Sequence, residues 1–323
     1  MKKAILDDLA NAPPPRWSGP TPLRKLRERI VYALLLGCAA ITVLTTAGIV
    51  LVLGVEAVRF FQVSGVSVGQ FLTGTETKFT AGGGPSANFG ILPLIWGTLV
   101  VAVGSSLIAL PIGLLSALYL SEYAPRKLRA VLKPTLELLA GIPTIVYGFL
   151  ALLLVTPVLK TVLEPLGLKV GAYNALSACI VVGIMIIPMV SSLSEDVLSA
   201  VPRSLREAGY GLGATKFEVS TRIVLPAALS GVTASFILAI SRAVGETMAV
   251  VLAAGIRPLI SLNPLESIET MTAYMVAVIG GEASVGSPKY LSLFAVGMTL
   301  FFSTLLLNIL SSLVLRRYRE VYQ

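Results

Sequence analysis

Charged residues are sparse along this chain, and the apolar runs between them are long. Six tracts stand out: Ile30–Val55, Ile91–Leu120, Pro134–Leu159, Ala172–Leu193, Pro226–Ile256 and Tyr290–Leu315. They run from 22 to 31 residues. Four carry no charge, the third carries Glu137, and the fifth carries Arg242 and Glu246. A helix crossing the hydrocarbon core needs about 20 apolar residues, so each tract predicts a spanning helix, the longer ones tilted or projecting beyond the bilayer. Lipid offers the backbone no partner, which restricts spans to helices or closed barrels. None of the tracts alternates as a barrel strand would. The expected fold class is all-α: a polytopic membrane protein with six transmembrane helices.

The connections predict an orientation. With the N-terminus inside, seven cations fall in the tail before Ile30, four in the second connection (Arg126, Lys127, Arg129, Lys133), four in the fourth (Arg203, Arg206, Lys216, Arg222) and three in the C-terminal tail. That places 18 of the 25 Lys and Arg inside and six outside, with Arg242 left in a span. The bias predicts both termini in the cytoplasm. The formal net charge of +8 then reflects topology and lipid headgroups rather than a nucleic-acid footprint. The first apolar run starts late and is too long for a signal peptide, so it reads as retained. Ahead of it, Ala12–Pro22 holds five prolines and reads as irregular. Leu23–Ile30 alternates apolar and basic residues at helical spacing, either a short helix on the inner leaflet or an unstructured basic anchor. The expected organisation is a tail and surface helix over 1–29, a first span over 30–57, a five-helix core over 91–315 and a tail over 316–323.

Composition narrows the chemistry. Apolar residues make up 55% and charged residues 13% of the 323, about half the usual ~25% charge of a soluble domain. Disorder, collagen and disulfide scaffolds are excluded. No histidine is present, which rules out haem, most zinc sites and imidazole acid–base catalysis. Cys38 and Cys179 lie far apart inside apolar tracts and read as small packing residues. No cofactor is expected. Of the longer outside connections, Arg59–Gly90 contains the flexible run Ala81-Gly-Gly-Gly-Pro85, and Arg257–Lys289 reads as linker or docking segment.

The fourth connection, 194–226, is unlike a plain loop. Pro202 suits a helix start, and Leu205, Ala208 and Leu212 share one face at helical spacing. Gly209, Gly211 and Gly213 interrupt that helix, each at about 1 kcal/mol relative to Ala. Such glycines imply a close neighbour, or a left-handed turn at Gly213 leading into a second helix at a right angle. Pro226 is expected to open the fifth span. Glu207-Ala208-Gly209, three residues, Gly213, nine residues, then Ile223-x-Leu225-Pro226 resembles the EAA coupling loop of ABC importer permeases, with Gly209 in place of the second Ala.

Further segments extend the resemblance: Asn88-Phe-Gly-Ile-Leu-Pro-Leu-Ile-Trp-Gly-Thr98, Tyr119-Leu-Ser-Glu-Tyr-Ala-Pro125, Lys133-Pro-x-x-Glu137-Leu-Leu-Ala-Gly-Ile-Pro-Thr-Ile-Val-Tyr-Gly148 and Ser241-Arg-Ala-Val-Gly-Glu-Thr-Met-Ala249. Together they are similar to phosphate permeases of the PstC type, from Leu23 to the end. The resemblance implies a type I ABC importer permease fold, inorganic phosphate as cargo, and a bacterial inner membrane. It implies a PstA-like permease as heterodimer partner, two PstB-like ATPase subunits and a PstS-like phosphate-binding protein. It also implies that Glu207, Ala208, Gly209, Gly213, Ile223, Leu225 and Pro226 couple to the ATPase. No stretch reads Gly-x4-Gly-Lys-Ser/Thr, so ATP hydrolysis is expected on another chain and this one is not an enzyme. Permeases for molybdate or sulfate remain an alternative, and so, more remotely, do a membrane-embedded enzyme and a passive channel.

Arg242 follows Pro226 by 16 residues, about 24 Å along a helix. That is near mid-membrane, where an unpaired Arg costs at least ~3 kcal/mol. Glu246 at i+4 would share its helix face, either as a neutralising pair or as the resting partner of a cation that meets an anion. Gly141-Ile-Pro143 breaks the third tract in mid-span, since Pro removes a donor, and Thr144 and Tyr147 then offer hydroxyls. Broken helices at depth line cavities, and proline kinks also occur in ordinary packing. Glu137 has Lys133 or a coupling-loop Arg as its expected partner. The expected substrate path is Arg242, Glu246, Thr144 and Tyr147.

Overall fold

The computed structural model describes residues 22–77, 89–281 and 283–318. The expectations for Ala12–Thr21, for Ala81–Pro85 and for the last five residues lie outside them. Contacts divide the chain into two units, 1–52 and 53–323.

Helix α1 runs from Pro22 to Ser64, 43 residues, about 65 Å at 1.5 Å per residue. The surface helix and the first span expected as separate elements are one uninterrupted helix. No Gly or Pro occurs from Leu23 to Leu36 to end the first, and Arg24 pairs with Glu28 at 3.2 Å along it. The helix ends at Gly65, whose φ is +69°, well beyond Val55. Within the first unit no described side chain is buried. Cys38 is exposed there and Cys179 is buried, so only the second packs as expected.

In the second unit, helix α2 (Val68–Thr73) leads to α3 (Leu92–Leu118), which winds through a π-helical turn, Tyr119–Tyr123. Helix α7 (Ala175–Ala200) packs along α3. The register is parallel: a β-carbon added at Gly104 would collide with Cys179 Sγ, and one at Gly113 would lie 2.6 Å from Val190 Cγ1. Small residues allow this close approach where the hydrophobic effect cannot drive helices together.

The third tract is two pieces. Helix α4 spans Arg126–Ala140. Helix α5 (Thr144–Leu150) continues through a π turn into α6 (Thr156–Leu163). Lys133 Nζ meets Glu195 at 2.8 Å, and the Thr156 and Ser177 hydroxyls meet at 2.8 Å. The tract therefore runs antiparallel to α7, and its break at 141–143 falls between these two registered points.

After α7 come α8 (Arg203–Gly211), α9 (Lys216–Val219), a π turn and α10 (Leu225–Ala227). A bend of 72° at Ala228 separates Lys216–Ala227 from α11, Leu229–Val244. Pro226 thus lies in the helix before the bend, and the helix after it starts at Leu229. A second break, Gly245–Thr247, precedes α12 (Met248–Ala254). The final helix, α14, is Pro288–Tyr318. Five helices among the described residues are long and apolar enough to cross a membrane, six when the bent pair is counted as one span.

One element was not expected. The connection after α12 turns at Gly255 (φ +85°) and runs back along the molecule to α13, Met271–Gly280. Its backbone is tied down on both sides: Ile268 N–H bonds the Ala254 carbonyl at 3.2 Å, and Ala175 N–H bonds the Glu266 carbonyl at 3.0 Å. At the foot of this hairpin, Met271 N–H donates to Thr98 Oγ1 (3.1 Å) and Thr272 Oγ1 donates to the Glu246 carbonyl (2.8 Å). Its 10 residues are too few to span, so α13, although apolar, reads from sequence as part of a connection.

Three apolar clusters follow one another along α3. The first holds Leu94 with Phe60, Phe71 and Phe89, the second Val101 and Ala109, and the third Ala117 with Leu198, Val219 and Val224.

Candidate translocation site and coupling loop

Both mid-tract breaks have local causes. Pro143 has no N–H, so the Leu139 carbonyl one turn earlier loses its helical donor. The Tyr147 hydroxyl donates to that carbonyl instead, at 3.1 Å. Pro143 then caps α5 in extended geometry (φ −55°, ψ 132°). Tyr147 is buried. Thr144 stands one turn before Tyr147 at the start of α5, half-buried. The helical run beginning there extends from Thr144 to Leu166, 23 residues.

The expected Arg242–Glu246 ion pair is not formed. An i+4 pair needs a continuous helix, and α11 ends at Val244 with Gly245 as its cap. Arg242 lies in the last turn of α11, exposed on this chain, with no acidic partner among the described residues. Glu246 turns inward to 7% exposure. Its Oε1 accepts from Ala249 N–H at 3.3 Å, so the carboxylate caps the start of α12. The structure therefore parts Arg242 from Glu246, which supports the second break.

The coupling loop follows its sequence closely. Helix α8 ends in a Schellman turn: Gly213 N–H bonds the Tyr210 carbonyl at 3.0 Å and Ala214 N–H bonds the Gly209 carbonyl at 3.2 Å. Gly213 has φ +82°, the left-handed conformation that glycine enters without penalty. Gly209 is buried because a β-carbon there would lie 2.6 Å from Ile223 Cδ1 and 3.0 Å from Val219 Cγ2. Thr215 and Glu218 then form a capping box that starts α9. The Glu218 carboxyl is held below its ordinary range, first by the Thr215 N–H and then by the Thr215 hydroxyl.

The face expected from Leu205, Ala208 and Leu212 does not hold together. Leu205 and Leu225 pack against the third cluster with Ile223, while the turn carries Leu212 outward to 90% exposure. Phe217 is 67% exposed beside it. Glu207, Ala208 and Pro226 are also exposed.

Sequence reasoning missed the charges above this loop. Lys133 pairs with Glu195 and Asp196, and the coupling-loop Arg206 pairs with Glu122. Lys133 and Arg206, the kinds of partner expected for Glu137, are thus taken by other acids. Glu195 and Asp196, two acids just past an apolar tract, were the available signal.

At the opposite end of α7 lies a cavity of about 1000 Å³ between segments 167–173 and 255–267, with Lys169 and Arg257 in its lining.

A family model described as "binding-protein-dependent transport system inner membrane component" matches residues 109–320. The chain is 33% identical over 294 residues to a probable ABC transporter permease protein, YqgH, of Bacillus subtilis, covering 90% of this chain and 92% of that one. It is 36% identical over 246 residues to the phosphate transport system permease protein PstC of Mesorhizobium japonicum, covering 71% and 74%. Among solved structures, a bacterial ABC transporter involved in the import of the acidic polysaccharide alginate superposes with a TM-score of 0.63 at 16% identity, over 91% of this chain and 97% of that one. The inward-facing MetNI methionine ABC transporter gives 0.51 at 18% identity, over 72% and 95%.

Proposed function

Because the chain belongs to the family of binding-protein-dependent transport system inner membrane components, we propose that it is the PstC-type permease subunit of an ATP-driven importer and carries inorganic phosphate into the cell. Its partners in this reading are a PstA-like permease, two PstB-like ATPase subunits and a PstS-like phosphate-binding protein. Both termini face the cytoplasm, as the Lys and Arg bias favours.

The observation that carries the reading is Arg242. It is a cation in the last turn of α11, at a helix break, and is bound to no acid among the described residues. A phosphate crossing a low-dielectric region needs a nearby positive charge, since Coulomb attraction there far exceeds its value in water. The positive end of the helical run that starts at Thr144 adds to it. Glu246 keeps the break open by capping α12. On the other side of the membrane, Lys169 and Arg257 outnumber the one acid, Glu266, in the lining of the large cavity and attract the anion before entry.

Transport then follows alternating access. The exposed Leu212, Phe217 and Glu207 of the coupling loop dock on the ATPase, and its closure moves the loop. Ala208, Gly209, Gly213, Ile223, Leu225 and Pro226 hold the loop in the shape that docks.

The test measures complex yield and uptake of labelled phosphate against sulfate and molybdate. Wild type is compared with Arg242→Gln, Glu246→Gln and the double variant. The expected double variant assembles with the ATPase and imports no phosphate. Substantial uptake by it would show that Arg242 is structural, and preferred uptake of sulfate or molybdate by wild type would reassign the cargo.

A further inference from the structure

The cytoplasmic ends of three helices meet at Arg206, a residue outside the coupling motif. Its Nε and Nη2 donate to Glu122 Oε1 at 3.2 and 2.9 Å. Its Nη1 donates to the Val201 carbonyl at 2.5 Å and its Nη2 to the Leu198 carbonyl at 2.8 Å. Those two carbonyls belong to the end of α7, where helical donors have run out. Glu122 lies in the π turn that ends α3. One guanidinium therefore fastens the coupling helix α8 to α3 and to α7. The Glu122 side chain is 5% exposed and that of Arg206 16%, so water does little to loosen the bond.

A second set of bonds starts from the same turn of α7. Glu195, fully buried, is paired with Arg129 and with Lys133. Ser199 Oγ donates to Glu195 Oε1 at 2.7 Å, and Arg129 Nη2 donates to Ser199 Oγ at 2.8 Å. These bonds tie α4 to α7. The far end of α4 is Ala140, directly before the break at 141–143 that precedes Thr144 and Tyr147.

We propose that Arg206 is the positioning residue that carries movement of the coupling loop into the membrane helices. Through Glu122 and the last turn of α7 it makes α8 and the cytoplasmic ends of α3, α7 and α4 move as one body. Displacement of α8 by the ATPase is then delivered along α4 to the break at 141–143. Nearby alternatives are weaker candidates for this job. Lys216 lies over the Tyr123 ring at 4.8 Å, a single contact without a fork of donors. Glu218 bonds within its own loop, to Thr215. A planar guanidinium serves these bonds in fixed directions, which a lysine ammonium cannot reproduce.

The inference rests on the reading of the chain as an ABC importer permease. The complete complex is reconstituted in vesicles, and phosphate imported per ATP hydrolysed is measured with complex yield. Wild type must first show ATP-dependent phosphate uptake, and its absence would sink the transport reading rather than the clamp. Arg206→Lys and Glu122→Gln are expected to assemble and hydrolyse ATP, with at least a fivefold fall in phosphate moved per ATP. A purely structural clamp would lower yield and leave that ratio unchanged, and this result in either assembled variant overturns the proposal. If Arg206→Lys does not assemble, Glu122→Gln decides by the same ratio. Failure of both to assemble makes the clamp a folding element and also overturns it.

Discussion

The Tyr147 hydroxyl donates to the Leu139 carbonyl at 3.1 Å, across the break that Pro143 creates. The bond replaces one the helix backbone can no longer make. It ties the end of α4 to α5 across the break. A tyrosine that looked on sequence like a free ligand for the cargo is already committed as a donor, and only its oxygen lone pairs remain to accept.

Tyr147→Phe removes that donor and leaves the Leu139 carbonyl without it. That carbonyl keeps a backbone donor, the Ile142 N–H at 3.3 Å, so the loss is that of one ordinary hydrogen bond, about 0.5–1.5 kcal/mol. The expected result is a lower melting temperature of the purified complex and a severalfold fall in uptake per assembled complex. A melting temperature equal to wild type would show that the bond does not hold the break.

Gly213 separates conformation from contact. A β-carbon there meets nothing within 4 Å, yet φ is +82°, so any effect of substitution comes from the backbone. Asn tolerates the left-handed region and a β-branched residue does not. Gly213→Asn is expected to bind the ATPase and transport near wild-type levels. Gly213→Val is expected to insert normally, lose the ATPase on co-purification and import nothing. Equal behaviour of the two variants would remove the left-handed turn from the docking argument.

The α3–α7 seam gives a packing test. Gly104→Ala drives a methyl group into Cys179 Sγ and sets it 3.1 Å from Cys179 Cβ, which forces the helices apart. Overpacking of this kind costs roughly 1–3 kcal/mol. The complex is expected to lose thermal stability, and Cys179→Ala in the same chain is expected to restore much of it by removing the sulfur. Stability measurements showing no rescue would mean that the strain lies elsewhere.

The amino-acid sequence by itself determined the all-α class, the number of spans and the coupling loop. Each of these is a local property. Tract length sets whether a helix can cross lipid, and Gly213, with the Thr215–Glu218 box after it, specifies its turns through bonds among near neighbours. The break at 141–143 was legible for the same reason, because Pro143 removes a donor wherever it stands. Tertiary structure alone decided which distant groups meet. Arg242 and Glu246 are close in sequence, yet the end of α11 at Val244 parts them and sends Glu246 to cap α12. Arg206 and Glu122 are 84 residues apart and meet because α3 and α7 end side by side. The hairpin carrying α13 escaped hydropathy for a related reason. A short apolar helix is stabilised at depth by Thr98, Thr272 and the Glu246 carbonyl, groups that only the packed helices bring to it.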